Sequence, residues 1–549
     1  MIKHKLNIHD TTTSVALNAC SDIGTLLDKA EGTVSEEELR EVLKRYNLRN
    51  WLIMLGQASN KIFSIEDKNK IGKTAYRDPR TGVFITQFGL AYLANLSIIS
   101  ASNDYKAKNI DNDDNFLALC NIYSNKLVFP EILRDDSIPF TKKDLVSTFV
   151  RMHWEQFEYQ FHTSLLMARI MVIFRNVINA LTPDKFEPLS DIFERETSLS
   201  LKEYFILAMT TWSASHKTAT FRKEVLTEAK LPVIQDILTE NKVESFLKIL
   251  SVDYKTFRDF DVQINANLVP ELTKFRFNPL QVYPIIKTDR PETDPYVIPN
   301  SLCFIKKAFG GLYWWFHSYF ENLGTHIDFR TYYGKVFEEY VGMVLKHIYG
   351  DVNVHPEIIY PKGKFVDWWV ESDNKIYLFE VKAYQFPLAT KQTGDLGLIV
   401  KEVKFKITEA KKQIFERISE INQYEELKVF RGKELIPVVV FWEMPFISTD
   451  LYKELIEDEL DGLEKEGLKG IKNARVYMMN IEELELYEDV ASKITLDDIF
   501  RGYENKPGEG FLSIVQEANS GVYPRSKYLG DVYRDFSKEL MGDAADKLE

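Results

Sequence analysis

The stretch from Phe365 to Lys382 constrains this chain more than any other. Phe365-Val366-Asp367-Trp368-Trp369-Val370 and Ile376-Tyr377-Leu378-Phe379-Glu380-Val381-Lys382 are two strongly β-forming runs, and the polar Glu371-Ser372-Asp373-Asn374-Lys375 between them reads as a turn. Asp367 lies about as far before the turn as Glu380 lies after it. Antiparallel pairing therefore sets the two carboxylates opposite each other on one face. Lys382, two residues beyond Glu380, shares that face, while Tyr377, Phe379, Val381 and Ala383 point to the other, into a core. Carboxylates and an amine among buried strands cost free energy unless they are paired or bind a cation. That cost marks the hairpin as a candidate site.

The surrounding chain is long enough to support it. Its 549 residues allow about two to four domains with real cores. A hydrophobic share of 45% and an aromatic share of 13% exclude a disordered chain. The net charge of −13 argues against a surface that coats nucleic acid generally, but leaves room for a local basic groove. Cys20, Cys120 and Cys303 are scattered, so neither a disulfide framework nor a zinc site is readable, and a reducing, cytoplasmic setting is expected. Met1-Ile2-Lys3-His4-Lys5 opens without an apolar leader. Leu165 to Leu181 is the most apolar helical run, but Arg169 and Arg175 interrupt it, so it reads as a buried helix, with no membrane partner expected.

Residues 1–105 contain a compact basic unit. Ser35-Glu36-Glu37-Glu38 is a capping-box pattern opening a helix to Tyr46, and a second helix follows from Leu48 to about Ser59. Lys61-Ile62-Phe63-Ser64 and Gly82-Val83-Phe84-Ile85-Thr86 read as strands, and Gln87 to Ile99 as a final helix. Helix, helix, hairpin, helix is similar to a winged helix, and Arg40, Arg45 and Arg49 would be its phosphate contacts. The competing reading is a plain helical packing module, since Trp51-Leu52-Ile53-Met54-Leu55 is too apolar for a clean recognition helix. Ile71-Gly72-Lys73-Thr74 imitates the end of a phosphate loop, but Asp67 stands where the first glycine is needed, so no nucleotide-binding loop is read.

Residues 106–285 read mainly as helices without a chemical motif. Pro279, Pro284, Pro291, Pro295 and Pro299 then read as a linker, with a domain boundary near residue 285. The expected fold class is thus α+β and multidomain: a mostly helical N-terminal half, a core with a mixed central sheet over 286–445, and an acidic α/β extension and loose tail over 446–549.

Within that core, Ser301 to about Asn322 and about Thr331 to Tyr349 read as helices. The second has Phe337, Val341, Val344 and Ile348 on its core face. Lys335 and Glu339 form an i, i+4 pair expected to be solvated. Glu338 instead lines up with Gly334 and Gly342, so another element can approach where it projects. After the hairpin come a helix from Glu402 to about Glu420, carrying Lys411-Lys412-Gln413-Ile414, and a buried strand, Ile436 to Trp442.

These elements together resemble the PD-(D/E)XK nuclease superfamily, the restriction-endonuclease-like fold. The resemblance covers about residues 300–445. It rests on Gly334-Lys335-Val336-Phe337-Glu338, on an extended piece near Ile358-Ile359-Tyr360 as the first strand, on Val366-Asp367, where valine replaces the name-giving proline, and on Glu380-Val381-Lys382, in the order α-β-β-β-α-β. It implies a metal-dependent endonuclease cleaving phosphodiester bonds, of DNA more than RNA. Asp367, Glu380 and the Val381 carbonyl would hold Mg²⁺, with Mn²⁺ as substitute. Glu338 would hold a second metal or its water shell, Lys382 would orient or deprotonate the attacking water, and Gln413 would support the site. Lys391, Lys401, Lys404, Lys406, Lys411 and Lys412 would line a phosphate-tracking groove; the other reading of this run is a solvated helix face. The architecture suggests restriction or defence against phage and mobile elements, with an activator, a separate ATPase chain or a second copy as partner. The alternative is a non-catalytic nucleic-acid-binding or assembly protein that retains the fold.

Overall fold

The structure, a computed structural model, describes residues 34–63, 70–71, 75–78, 83–101, 113–122, 163–227, 238–266, 276–289, 295–372, 375–386, 396–443, 476–505 and 511–541. It is a mixed α+β protein in two compact units that cut across the four-part division expected from sequence. One comprises residues 1–141, 155–163 and 191–314; the other comprises 142–154, 164–190 and 315–549.

In the first unit, Ser35 caps the helix Glu36–Leu43 with a capping box, as the sequence pattern requires. The helix Leu48–Phe63 runs further than expected: Lys61, Ile62 and Phe63 are its last turn and not a strand. Ile62 is 1% exposed there, so burial in a helical core outweighs the local β preference. Three short antiparallel strands, Lys70–Ile71, Ala75–Arg77 and Phe84–Thr86, lead into the helix Gln87–Ser100. That last helix is buried on nearly every side, including Gln87, Asn95 and Ser97, so it has no polar face to lay into a groove. The proline-dense stretch is not a linker. Ile285–Lys287 and Tyr296–Val297 are inner strands of a four-stranded sheet flanked by Ser251–Asp253 and Thr220–Phe221, and Ile285, Ile286 and Val297 are fully buried. The prolines tolerate this placement because they stand beside the short strands and not inside them. Cys120 and Cys303 are buried free thiols, and burial pushes Cys303 up to about 12.

The second unit is built on a five-stranded mixed sheet. Its elements in chain order are α1 (His326–Tyr349), β1 (Val354–Pro356), β2 (Trp368–Ser372), β3 (Lys375–Lys382), α2 (Leu396–Glu420), β4 (Glu434–Phe441), β5 (Tyr477–Asn480), α3 (Ile481–Tyr487) and α4 (Leu496–Asn505). The spatial order is β5-β4-β3-β2-β1, antiparallel from β1 to β3 and parallel from β3 to β5. The parallel step from β3 to β4 is crossed by α2, the connection such a pair requires. Both sheet faces are covered. On one, Phe337, Tyr340, Val341, Val344 and Leu345 of α1 are buried. On the other, Ile376 and Leu378 of β3 pack with Trp369, Ile421, Leu427 and Phe430.

Three expectations change here. Ile359–Tyr360 pairs with Gly363–Lys364 as a separate two-stranded ribbon, and β1, five residues earlier, is the sheet strand. The C-terminal region is integral to the unit: β5 completes the sheet, and the helices Leu496–Asn505, Phe511–Ala518 and Lys527–Met541 bury Phe500, Val515, Leu529 and Phe536. Lys335 reaches Asp184 at 3.7 Å. The acidic run 457–459 and the segment 507–510 lie outside the described residues.

A helical segment from far up the chain is locked into this unit by charge. Arg169, 4% exposed, makes two hydrogen bonds to Glu485 of α3 at 2.6 and 2.7 Å, and Tyr340 donates to the same carboxylate at 2.7 Å. The arginine that ruled out a membrane span from sequence is thus a buried bidentate partner. No described helix is long and apolar enough to cross a membrane.

Candidate active site

The β2–β3 register runs Trp368↔Phe379, Trp369↔Leu378, Val370↔Tyr377, Glu371↔Ile376 and Ser372↔Lys375. Extending it by one residue puts Asp367 opposite Glu380, as equal spacing from the turn implies; residues 373–374 of that turn lie outside the described ones. The ladder stops at Trp368, however, so Asp367 lies just before the strand. Its Oδ2 accepts the Val381 N–H at 2.7 Å. Alternate residues of a strand turn their backbone groups to opposite neighbours. The Lys382 carbonyl accepts from Trp442 N on the β4 side at 3.0 Å, so the amide and carbonyl of Val381 both face the Asp367 side.

Glu380 is 3% exposed and fully paired. Lys382 Nζ donates to its Oε1 at 2.8 Å, and Arg417 donates to its Oε2 at 2.7 Å. Lys382 also donates to Gln413 Oε1 at 2.8 Å, which places the glutamine beside these groups. An ammonium has three donors, and these two bonds leave one for a water or an anion. Gln413 and Arg417 are one helical turn apart on α2, which sets Arg417 on the β3 carboxylate and Gln413 on the lysine beside it. Arg417 was not anticipated; its i+4 spacing from Gln413 was the available signal.

Glu338 approaches from α1, on the opposite face of the sheet. The Trp368 indole N–H donates to its backbone carbonyl at 2.8 Å. This approach is allowed by Gly342, where a Cβ would fall 2.1 Å from the Trp368 ring. Gly334, also expected to serve close packing, has open space around it. The Lys346 ammonium lies over the same ring, 5.2 Å from its centroid. Glu338 is raised to about 8, first by burial and then by the negative charge of Asp367 and Glu357, with Lys364 opposing. Asp367 is raised to about 7, again by burial first and then by Glu380; the Val381 N–H, Lys382 and Arg417 pull the other way. Glu357 and Lys364, which form a 2.5 Å ion pair, are further charges at this edge that sequence reasoning missed.

The site thus gathers hard oxygen donors whose negative charges oppose one another. Among the described residues no three His, Cys, Asp or Glu side chains come together as a metal-holding group. Asp367, Glu380 and the Val381 carbonyl are the oxygen donors here that could hold a hard divalent cation, which needs only one or two carboxylates and completes its shell with water.

The remaining basic residues are less concentrated. Lys401 and Lys412 are exposed on α2, with Lys412 3.7 Å from Glu416; the side chains of Lys404, Lys406 and Lys411, and all of Lys391, lie outside the described residues. In the first unit Arg40 is held by Glu36 at 2.6 Å, Arg45 is exposed and Arg49 is half-buried. No protein-family profile, curated protein or solved structure matches this chain.

Proposed function

We propose that the chain is a metal-dependent nuclease hydrolysing phosphodiester bonds, DNA in preference to RNA, with its centre at Asp367, Glu380 and Lys382. The observation that carries this reading is the Asp367–Val381–Glu380–Lys382–Gln413 network at the frayed end of the β2–β3 ladder. Two acids facing one lysine across a strand end are groups that metal-assisted phosphodiester hydrolysis can use: ligands for a cation and a proton-handling amine. A bound Mg²⁺ would supply Lewis-acid stabilisation of the phosphorane and a more acidic water. Asp367 is oriented for this by the Val381 amide. Lys382 is fixed by Glu380 and Gln413, and its remaining N–H is available to an attacking water or a phosphate oxygen. Glu338, raised to about 8, is suited to hold a proton or a second cation's water shell near neutral pH.

The test is cleavage of plasmid, single-stranded DNA and RNA with Mg²⁺, Mn²⁺ or EDTA, by wild type and by Lys382→Ala. Metal-dependent cutting that falls by about 10²–10³-fold in the variant is expected. Equal cutting by the two proteins sinks the site assignment. A second reading, a nucleic-acid-binding or assembly protein without cleavage, is favoured by the occupation of both Glu380 oxygens by cations. Metal-independent binding of DNA with no cutting of any substrate would select it. A role in restriction or phage defence, with an activator or a separate ATPase, belongs to the first reading and would appear as nucleotide- or partner-dependent cutting.

A further inference from the structure

Glu380 presents a chemical problem for the nuclease reading on which this inference rests. It is the most deeply buried acid of the site, and both its oxygens are bonded to fixed cations: Oε1 to Lys382 at 2.8 Å and Oε2 to Arg417 at 2.7 Å. Lys382 has a second anchor in Gln413. Glu380 is the partner found for Arg417, whose side chain keeps 23% of its surface open to solvent. The two cations are therefore not equivalent. Lysine is anchored by both Glu380 and Gln413, whereas arginine has one bond into the site; the two side chains are equally open to solvent, at 23% each, so the single anchor is what sets arginine apart.

We infer that Arg417 is an exchangeable counter-ion: it holds Glu380 while no divalent cation is present, and turns to a phosphate of the nucleic acid once a cation takes over the Glu380 carboxylate. The exchange rests on three physical arguments. A buried carboxylate left alone is costly, so Glu380 needs a positive partner before any cation arrives. A guanidinium and a divalent cation on the same carboxylate repel each other strongly in a partly desolvated site. The planar guanidinium fork then matches two oxygens of a phosphodiester, and its place one turn from Gln413 keeps it over the same strand end. Arg417 is thus a positioning residue without the cation and a phosphate contact with it, and metal and substrate occupancy become coupled.

The experiment follows the reactivity of Arg417 toward phenylglyoxal in the full-length protein, read by peptide mass spectrometry, together with Mg²⁺ titration calorimetry. Modification is expected to be slow in EDTA and at least about threefold faster with saturating Mg²⁺. It should slow again when an uncleavable phosphorothioate strand is added with Mg²⁺. Arg417→Met should bind Mg²⁺ at pH 8 more tightly than wild type and cut more slowly, with Arg417→Lys restoring the wild-type metal affinity but not the rate. If Mg²⁺ binds wild type and Arg417 reactivity does not change, the exchange is wrong while the nuclease reading stands. If Mg²⁺ does not bind wild type and no substrate is cut, the nuclease reading fails and the exchange fails with it.

Discussion

Glu338→Gln separates stability from function at the candidate site. Glu338 is raised from its ordinary 4.5 to about 8 because burial and the charges of Asp367 and Glu357 oppose its ionisation. At about 1.36 kcal/mol per pH unit, that interval would be worth roughly 4–5 kcal/mol for a sealed-off group. Glu338 is only partly buried, and solvent screening reduces this to about 1–2 kcal/mol. The sign follows from proton counting. Between pH 4.5 and about 8 the folded chain holds a proton on Glu338 that the unfolded chain has lost, so Glu338 makes stability fall as pH rises through that window. Glutamine is neutral throughout. In EDTA the variant should match wild type below pH 4.5 and exceed it by about 1–2 kcal/mol at pH 9 in urea melts. Mg²⁺ should then reverse the ranking, since a ligand at a hundredfold its Kd stabilises the wild type by about 2.7 kcal/mol. A variant that is destabilised equally at every pH would refute the electrostatic account of Glu338. A stabilised variant that gains as much from Mg²⁺ as wild type would remove Glu338 from the metal site.

Two further substitutions probe how the site is held. Gly342→Ala gains about 1 kcal/mol of helix propensity but drives a Cβ into the Trp368 ring and breaks the bond to the Glu338 carbonyl. Overpacking of about 1–3 kcal/mol and a lost hydrogen bond of about 0.5–1.5 kcal/mol should dominate, so a lowered Tm is expected and a raised one would contradict the packing. Arg169→Met strands the buried Glu485 and should cost about 3–5 kcal/mol in urea denaturation, with most of it recovered in Arg169→Met/Glu485→Met. A loss below about 1 kcal/mol would show that this pair is solvated.

The local part of the site was legible because it depends on strand alternation and turn spacing alone. The positions of Asp367, Glu380 and Lys382 on one face and the approach of Glu338 near Gly342 follow from periods of two and of 3.6. What was not legible depends on partners distant in sequence. Arg169 and Glu485 are 316 residues apart, and nothing local to either announces the pair. The strand at Tyr477–Asn480 is only four residues long, so its place beside β4 was not visible in its own composition. The proline-dense stretch misled for a related reason: strands of two and three residues fit between prolines, and only the neighbouring strands make them a sheet.

The start of β2 at Trp368 explains how the candidate site and the fold coexist at this end of the sheet. Had the β2–β3 ladder continued, the next hydrogen-bonded pair would have been Val366 with Val381, each taking the other's amide and carbonyl. The chain instead breaks step before Trp368, and the Asp367 carboxylate takes the Val381 amide in place of the Val366 carbonyl. A charge-assisted bond thereby replaces a ladder bond, so the fold loses little. The Val381 carbonyl is left at the end of the central strand without a strand partner among the described residues, beside two acids and a lysine. One local departure from regular pairing thus yields an oriented carboxylate, an open backbone acceptor and solvent access at the same place. On its other side β3 stays paired with β4 as far as Lys382↔Phe441, so the departure is confined to the β2 side.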